Sequence, residues 1–205
     1  DVDDDVRTAV NDYAERLRAA GHTVKEVSLP MSKYSLAMYY IIVPAEVCSN
    51  LARYDGIRYG LRAKDAKSLL DVYTHSRKEG FEAENKRRIM IGSYVLSSGF
   101  YDAYYQKAQK ARTLLIAEYE KLFETCDVLL TPTAPTAAFK IGANTDDPVK
   151  MYLADIMTVP ASLAGLPAIN VPAGTTAEGL PIGAQLIGPQ KSDELLLQLA
   201  GEGEK

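Results

Sequence analysis

Three consecutive cations, Lys86, Arg87 and Arg88, open a long apolar stretch and are the first residues that suggest a binding function. Successive residues on a helix point about 100° apart, so the three side chains cannot share one environment. At most two of them can face inward. An inward arginine beside apolar neighbours needs an anion, which the protein or a ligand must supply. We therefore treat this stretch as a candidate anion-binding site.

Asp155 is the second candidate, because it is a single carboxylate bracketed by apolar residues in ADIMTVP. On a helix it would lie one turn from Met151 and Val159. A solvated or helix-capping aspartate is the alternative interpretation. An arginine together with a carboxylate is what a free α-amino acid needs, since the guanidinium takes the carboxylate and the aspartate takes the ammonium group.

The sequence lacks a complete set of residues for a familiar catalytic centre. There is no Gly-x-Ser-x-Gly elbow and no phosphate-binding glycine loop with a lysine. Cys48 and Cys126 show neither metal-ligand nor redox spacing, and His75 has no recognisable nucleophile nearby. Ser97-Ser98-Gly99 is the nearest approach to a serine-rich loop, but it interrupts a helical pattern, where small residues permit close packing. The sequence alone therefore predicts binding groups without a nucleophile.

The length and composition fit one globular domain or one large piece of a bigger one. The 205 residues are 47% hydrophobic, which is enough to bury a core. A net charge of -4 argues against a nucleic-acid surface formed by this chain alone. No apolar run is long enough to span a bilayer, and two unpatterned cysteines favour a reduced, cytosolic compartment. The acidic start DVDDDV suggests an internal beginning, so we expect a fragment.

Helical periodicity predicts the elements that must position these residues. Apolar positions predict a helix over 5–20 that Gly21 ends, and alternation over 23–29 predicts a short strand. A helix that starts or kinks at Pro44 is expected within 34–54. Two helices, over about 84–97 and 101–124, would carry the three cations and the apolar stretch.

The second half of the sequence contains three short apolar runs that predict buried strands: 128–130, 168–172 and 182–188. Runs of this kind are typical of a mostly parallel sheet. Helical spacing is expected over 152–163 and again over 193–200, and 142–148 is expected to be a loop. The pattern as a whole favours an α/β fold.

Four long runs carry a family resemblance: PAEVCSNLARYDGIRYG, KRRIMIGSYVLSSGFYDAYYQKAQKARTLL, DPVKMYLADIMTVPASLAGLPAINVPAG and GLPIGAQLIG. They resemble the C-terminal half of the amidase signature family, and most of all its glutamine-hydrolysing A subunits of glutamyl-tRNA(Gln)/aspartyl-tRNA(Asn) amidotransferases. The resemblance implies a mixed, mostly parallel sheet covered by helices. It also implies that residues 1–205 are the C-terminal portion of one amidase domain whose N-terminal catalytic half is absent here. The chain departs from the family pattern at Glu82 and Asn85.

The resemblance also implies roles for three residues. Arg88 would hold the substrate glutamine, Asp155 would be its carboxylate partner, and Tyr39 in the YYII run would line the pocket. From the residues alone, core packing remains the alternative for Tyr39. The family's nucleophile is a serine activated by a second serine and a lysine, all in the half that would precede Asp1. No catalytic residue is therefore expected in this chain, which is expected to be inactive by itself.

Further expectations follow from the same resemblance. Partner subunits B and C would amidate a mischarged tRNA with the released ammonia, in the cytoplasm and away from any membrane. ATP and Mg²⁺ would act at a partner protein, and no cofactor or metal is expected in this chain. Two alternatives stay open: a general amidase of the same family, and a non-catalytic assembly module. Arg88 with Asp155 favours a glutaminase, because an amidase for apolar amides need not hold both poles of an amino acid.

Overall fold

A computed structural model of the chain describes residues 2–143 and 148–203. They form two compact units. Unit 2 is Ala37–Ala111, and unit 1 contains the residues up to Leu36 and those from Arg112 onward. Most of the loop expected at 142–148 lies outside the described residues.

The helices and strands are numbered in chain order. The helices are α1 Asp4–Ala19, α2 Ser35–Leu51, α3 Leu69–Gly80, α4 Ala83–Val95, α5 Lys107–Phe123, α6 Pro148–Leu153, α7 Val159–Ala164 and α8 Asp193–Gly203, with a 3₁₀ helix at Pro30–Tyr34 and a π-helix at Tyr101–Gln106. The strands are β1 Leu129–Pro132, β2 Ala168–Thr175 and β3 Pro181–Ile187.

Helix α1 confirms the helix expected over 5–20. Val6, Val10, Tyr13 and Leu17 are buried on one face, as the periodicity predicts. Acidic residues occupy its first turn and arginines its last turn, which complements the helix dipole. Gly21 follows with a φ of 99°, a left-handed conformation that costs glycine little.

The three strands form one sheet in the order β1-β3-β2, and both pairings are antiparallel. The expectation of mostly parallel pairing is therefore wrong for these strands. Residues 176–180 connect β2 to β3 through a turn, and a connection this short joins antiparallel neighbours. A short apolar run predicts that a strand is buried, but it does not predict the direction in which the strand pairs.

The central strand β3 holds the core of unit 1. Ile182, Ala184 and Leu186 alternate along it and are buried in a cluster with residues of α1 and α8. Ala184 and Leu186 are fully buried. Since side chains alternate across a strand, Gly183, Gln185 and Ile187 lie on the opposite face.

The strand predicted over 23–29 is wrong. Residues 22–29 form neither a helix nor a strand, and Val27 is 45% exposed. Alternation makes a strand only where a neighbouring strand completes its hydrogen bonds. Within the described residues this segment has no such neighbour.

Unit 2 is built from helices. Helix α2 confirms the helical prediction over 34–54, although Pro44 lies inside it instead of at its start. The capping box of Ser68 and Asp71 begins α3, and hydrogen bonds with Ser68 and the backbone hold the pKa of Asp71 below its ordinary value. Helix α4 ends before Ser97-Ser98-Gly99, as predicted.

Within unit 2, Gly92 brings α4 into direct contact with α2. A Cβ atom at Gly92 would overlap the carbonyl oxygen of Pro44 and would lie 2.7 Å from the Cβ of Cys48. Only a residue without a side chain permits this approach, so the close packing of the two helices depends on Gly92.

Replacing Gly92 with alanine should therefore destabilise the protein despite alanine's higher helix propensity. The propensity gain is about 1 kcal/mol, whereas overpacking against backbone costs typically about 1–3 kcal/mol. Urea unfolding should show a net loss for Gly92→Ala. Gly201→Ala in α8 is the matched control, because nothing lies within 4 Å of the added methyl group. Equal stability of the two variants would contradict the close contact.

Candidate functional site

The three cations at the start of α4 occupy different environments, as the 100° rotation per residue predicts. Lys86 Nζ donates a hydrogen bond to the carbonyl oxygen of Lys78 at 2.7 Å. Arg87 forms an ion pair with Glu84, and its side chain is 50% exposed. The side chain of Arg88 is only 26% exposed, so the arginine that the family resemblance singles out is more buried than Arg87.

The protein itself supplies the anion that this arginine needs. Nε of Arg88 donates to Oε1 of Glu84 at 2.9 Å, one helical turn earlier on α4. Nη1 of Arg88 donates to the hydroxyl oxygen of Tyr39 on α2 at 3.1 Å. The guanidinium carbon also lies 5.9 Å from the ring centre of Tyr39 and 5.7 Å from that of Tyr40. Arg88 is therefore held by one carboxylate, one hydroxyl and two aromatic rings.

These contacts keep the guanidinium charged. Burial opposes the charge, but the hydrogen bonds to Glu84 and Tyr39 outweigh burial and hold the pKa of Arg88 above its ordinary value. Tyr39 and Tyr40 themselves stack edge to face, with ring centres 5.1 Å apart. A fixed, fully charged guanidinium loses little freedom when a ligand binds, which favours recognition of an anion.

An open pocket of about 350 Å³ lies beside Arg88. It is lined by Val47, Asn50, Leu51, Glu84, Asn85 and Arg88. Nε and Nη1 of Arg88 already have partners, whereas Nη2 makes no hydrogen bond to any described residue. A planar guanidinium carries five N–H donors, so the Nη1–Nη2 edge can still bind a carboxylate.

Asp155 lies in unit 1, on a turn formed by residues 154–158 between α6 and α7. The helical spacing expected over 152–163 is thus interrupted at 154–158, and Asp155 is not on a helix. Its backbone carbonyl accepts hydrogen bonds from Thr158 and Val159. Its side chain is exposed and makes no hydrogen bond or ion pair within the described part of the chain. The carboxylate does not cap a helix and can accept a ligand.

The structure therefore brings together Arg88 and Tyr39 inside unit 2 and places Asp155 in unit 1. Their roles in substrate binding stay predictions. Sequence reasoning missed Glu84, although a glutamate four residues before an arginine on a helix is a recognisable pairing signal. It also gave no role to Gln185, a polar residue in an otherwise apolar strand.

Among the described residues, no cluster of histidine, cysteine, aspartate or glutamate could hold a metal ion. In the same residues, no helix is both long enough and apolar enough to span a bilayer.

The family model "Amidase" matches residues 1–197. The chain therefore belongs to the amidase family, and the resemblance seen in the sequence is confirmed.

The relatives it matches include A subunits of glutamyl-tRNA(Gln) amidotransferases. That of Parvibaculum lavamentivorans is 59% identical over 186 residues, which are 91% of this chain and 38% of the relative. That of Streptococcus thermophilus is 54% identical over 199 residues, which are 97% of this chain and 41% of the relative. The chain thus spans about two fifths of the length of these relatives.

Solved structures confirm the α/β amidase fold. The corresponding glutamyl-tRNA(Gln) amidotransferase subunit of Thermotoga maritima has a TM-score of 0.71 at 38% identity, over 98% of this chain and 38% of that one. The 6-aminohexanoate cyclic dimer hydrolase has a TM-score of 0.75 at 21% identity, over 99% of this chain and 41% of that one. The second likeness shows the fold alone.

The Arg88–Tyr39 hydrogen bond generates a stability prediction. Tyr39→Phe keeps the ring beside the guanidinium but removes the acceptor for Nη1. A hydrogen bond to a charged group contributes about 1.5–3 kcal/mol when buried, so this half-exposed one should contribute about 1 kcal/mol after solvent screening. Denaturant unfolding should show this loss for Tyr39→Phe. Tyr59→Phe, at a residue in the same unit that is 57% exposed, is the control and should show none. Identical unfolding midpoints for Tyr39→Phe and Tyr59→Phe would show that the Arg88–Tyr39 hydrogen bond does not stabilise the protein.

Proposed function

We propose that this chain is the C-terminal part of the glutamine-hydrolysing subunit of a tRNA-dependent amidotransferase. The amidase family membership supports amide hydrolysis, and the names of the similar subunits support an amidotransferase that acts on glutamyl-tRNA(Gln). Glutamine as the source of ammonia is part of the proposal. In this proposal, partner subunits B and C receive the ammonia and amidate a mischarged tRNA. ATP and Mg²⁺ would act in the reaction of the partner subunit. We also propose a cytoplasmic location, because the reaction uses charged tRNA.

The held guanidinium of Arg88 is the observation that carries the proposal. Glutamine is zwitterionic, and its α-carboxylate and α-ammonium groups distinguish it from a simple amide. Arg88 is charged, oriented by Glu84 and Tyr39, and keeps the Nη2 side for an anion beside the pocket. A bidentate contact on that edge would fix the carboxylate and, through it, the position of the side-chain amide.

Asp155 supplies the complementary charge in this proposal. Its exposed carboxylate makes no ion pair with a described residue, so binding an ammonium group would break no such pair. We assign the α-ammonium group of glutamine to Asp155, and we assign to Tyr39 the orientation of Arg88 and the wall beside it.

The chemistry needs groups that this chain is not expected to contain. Hydrolysis breaks the carbon–nitrogen bond of the side-chain amide, adds water and yields glutamate and ammonia. A serine hydroxyl attacks an amide only when a base takes its proton, and the family places that serine and its lysine in the other half of the domain. The residues of this chain would bind and orient the substrate while that half performs the covalent step.

A general amidase is the competing proposal. The likeness to 6-aminohexanoate cyclic dimer hydrolase, at 21% identity, supports only the shared fold. An enzyme for neutral amides would gain nothing from a charged arginine aimed at a carboxylate. The comparison of glutamine with uncharged amides in a full-length subunit therefore separates the two proposals.

The first functional prediction concerns Arg88 in a full-length subunit that contains this sequence. Arg88→Ala should raise KM for glutamine far more than it lowers kcat, because a charge-assisted contact contributes about 2–4 kcal/mol to binding. Arg88→Lys should also be impaired, because an ammonium group cannot reproduce the planar fork. Glutaminase kinetics with an ammonia assay measure both effects.

Arg87→Ala is the matched control, since Arg87 is the adjacent residue, carries the same charge and also pairs with Glu84. It should leave glutamine kinetics nearly unchanged. Equal losses at Arg87 and Arg88 would show that only the net charge matters. Unchanged kinetics in both Arg88 variants would remove Arg88 from the binding site.

The second functional prediction concerns Asp155. Asp155→Asn keeps the shape of the side chain but removes its charge. The kcat/KM for glutamine should therefore fall more than that for glutaramate, which is glutamine without the α-amino group. We expect a loss of roughly tenfold or more for glutamine, as for a charged hydrogen bond. Asp127→Asn, at another exposed aspartate of unit 1, is the control. Equal losses for both substrates would instead indicate a structural role for Asp155.

A further inference from the structure

Gln185 is a buried polar residue at the centre of the sheet. It lies on β3, opposite Thr131 of β1 and Asn170 of β2, and is only 4% exposed. Its neighbours along the strand, Ala184 and Leu186, are fully buried and apolar. An amide in such a place must find hydrogen-bond partners, or it costs more than an apolar residue of the same size.

The side-chain nitrogen of Gln185 uses both of its hydrogens. It donates to the hydroxyl oxygen of Thr131 at 3.1 Å and to the carbonyl oxygen of Met157 at 3.0 Å. Met157 lies on the turn 154–158 that carries Asp155. Gln185 therefore connects the rigid central strand to the segment that presents the Asp155 carboxylate.

The turn has few other anchors. Its remaining hydrogen bonds to described residues are local: the backbone N–H groups of residues 154–156, 158 and 159 and the hydroxyl of Thr158 donate, and the carbonyl oxygen of Thr158 accepts from Ser162. Among the described residues, Gln185 provides the one side-chain hydrogen bond that reaches this turn from a strand. Asp155 is the exposed residue of this turn, and the other four are half-buried. A turn held by local hydrogen bonds alone samples several conformations, and ordering it costs binding energy.

We propose that Gln185 is a positioning residue, which fixes the 154–158 turn so that Asp155 meets the α-ammonium group of the substrate. This inference rests on the proposed function, because it assumes the role of Asp155. Gln185 does not touch the substrate. It holds the Met157 carbonyl against the sheet and thereby sets the position of the Asp155 backbone, two residues earlier.

The test compares three variants of the full-length protein in complex with its partners. Gln185→Met keeps the length and volume of the side chain but removes both donors. Thr131→Val removes the second hydrogen-bond acceptor of the Gln185 amide but leaves its hydrogen bond to the Met157 carbonyl. It therefore controls for the loss of a hydrogen bond that does not reach the 154–158 turn. Gln198→Met, at an exposed glutamine of α8, controls for the substitution itself. Glutamine and glutaramate are the two substrates.

Gln185→Met should raise KM for glutamine roughly 5- to 20-fold, which corresponds to about 1–2 kcal/mol. The kcat for glutamine and the kcat/KM for glutaramate should change less than about twofold, because neither depends on the ammonium contact. Thr131→Val and Gln198→Met should keep the preference for glutamine over glutaramate. Equal losses for both substrates in Gln185→Met would overturn the proposal, since a purely structural residue affects both.

A double-mutant cycle with Asp155→Asn separates this inference from the proposed function. If Gln185 acts through Asp155, Gln185→Met should cause no further loss of glutamine preference once Asp155 is neutral. Additive losses would overturn the inference alone. If Asp155→Asn by itself affects both substrates equally, the proposed role of Asp155 fails, and the inference fails with it.

Hydrogen exchange gives a readout that is independent of activity. Backbone amides of residues 155–159 should exchange faster in Gln185→Met than in Gln198→Met, while amides of β3 keep their protection. If Gln185→Met does not fold, Gln185→Asn replaces it, because its amide is one methylene too short to reach both partners. Unchanged exchange in a folded variant would contradict the anchoring role.

Discussion

The burial of strand β3 on both faces is the constraint on which unit 1 depends. On one face, Ile182, Ala184 and Leu186 pack against α1 and α8, and apolar burial of this kind contributes about 1.5–3 kcal/mol per large side chain. On the other face, Gln185 must satisfy its amide without water. It does so through β1 and the Asp155 turn. The strand that stabilises the core is thereby also hydrogen-bonded to the turn that contains Asp155.

In unit 2, the same requirement that a buried polar group find hydrogen-bond partners applies to Arg88 on helix α4. A half-buried guanidinium is unfavourable unless hydrogen bonds compensate its desolvation, and Glu84 and Tyr39 provide them. The carboxylate of Glu84 leaves one edge of Arg88 for a ligand. The protein itself therefore keeps Arg88 charged and oriented, and this would reduce the entropy that binding of an anionic ligand must overcome.

These features support the proposal that the chain contributes to substrate binding. Recognition of a zwitterion needs fixed charges on rigid elements, and this chain presents an arginine on α4 and an aspartate on an anchored turn. Nucleophilic attack needs a serine within hydrogen-bond reach of a base, and the family resemblance implies that both belong to the part of the domain that precedes this sequence. The chain spans about two fifths of its similar relatives, so its part in the reaction is proposed as substrate recognition.

Elements whose burial repeats with a regular period could be predicted from the sequence without a structure. These include the apolar stripe of α1 and the presence of three apolar strands, and the small residues Ser97-Ser98-Gly99 predicted the end of a helix. The residue types pointed to Arg88 and Asp155 as candidates, and the family motifs predicted their roles and that of Tyr39. The antiparallel pairing, the unpaired state of residues 22–29 and the bond from Gln185 to Met157, 28 residues away, became visible only in three dimensions. Periodicity reports which face of an element is buried. It does not report which distant group completes a hydrogen bond, because that choice depends on how separate elements meet in space.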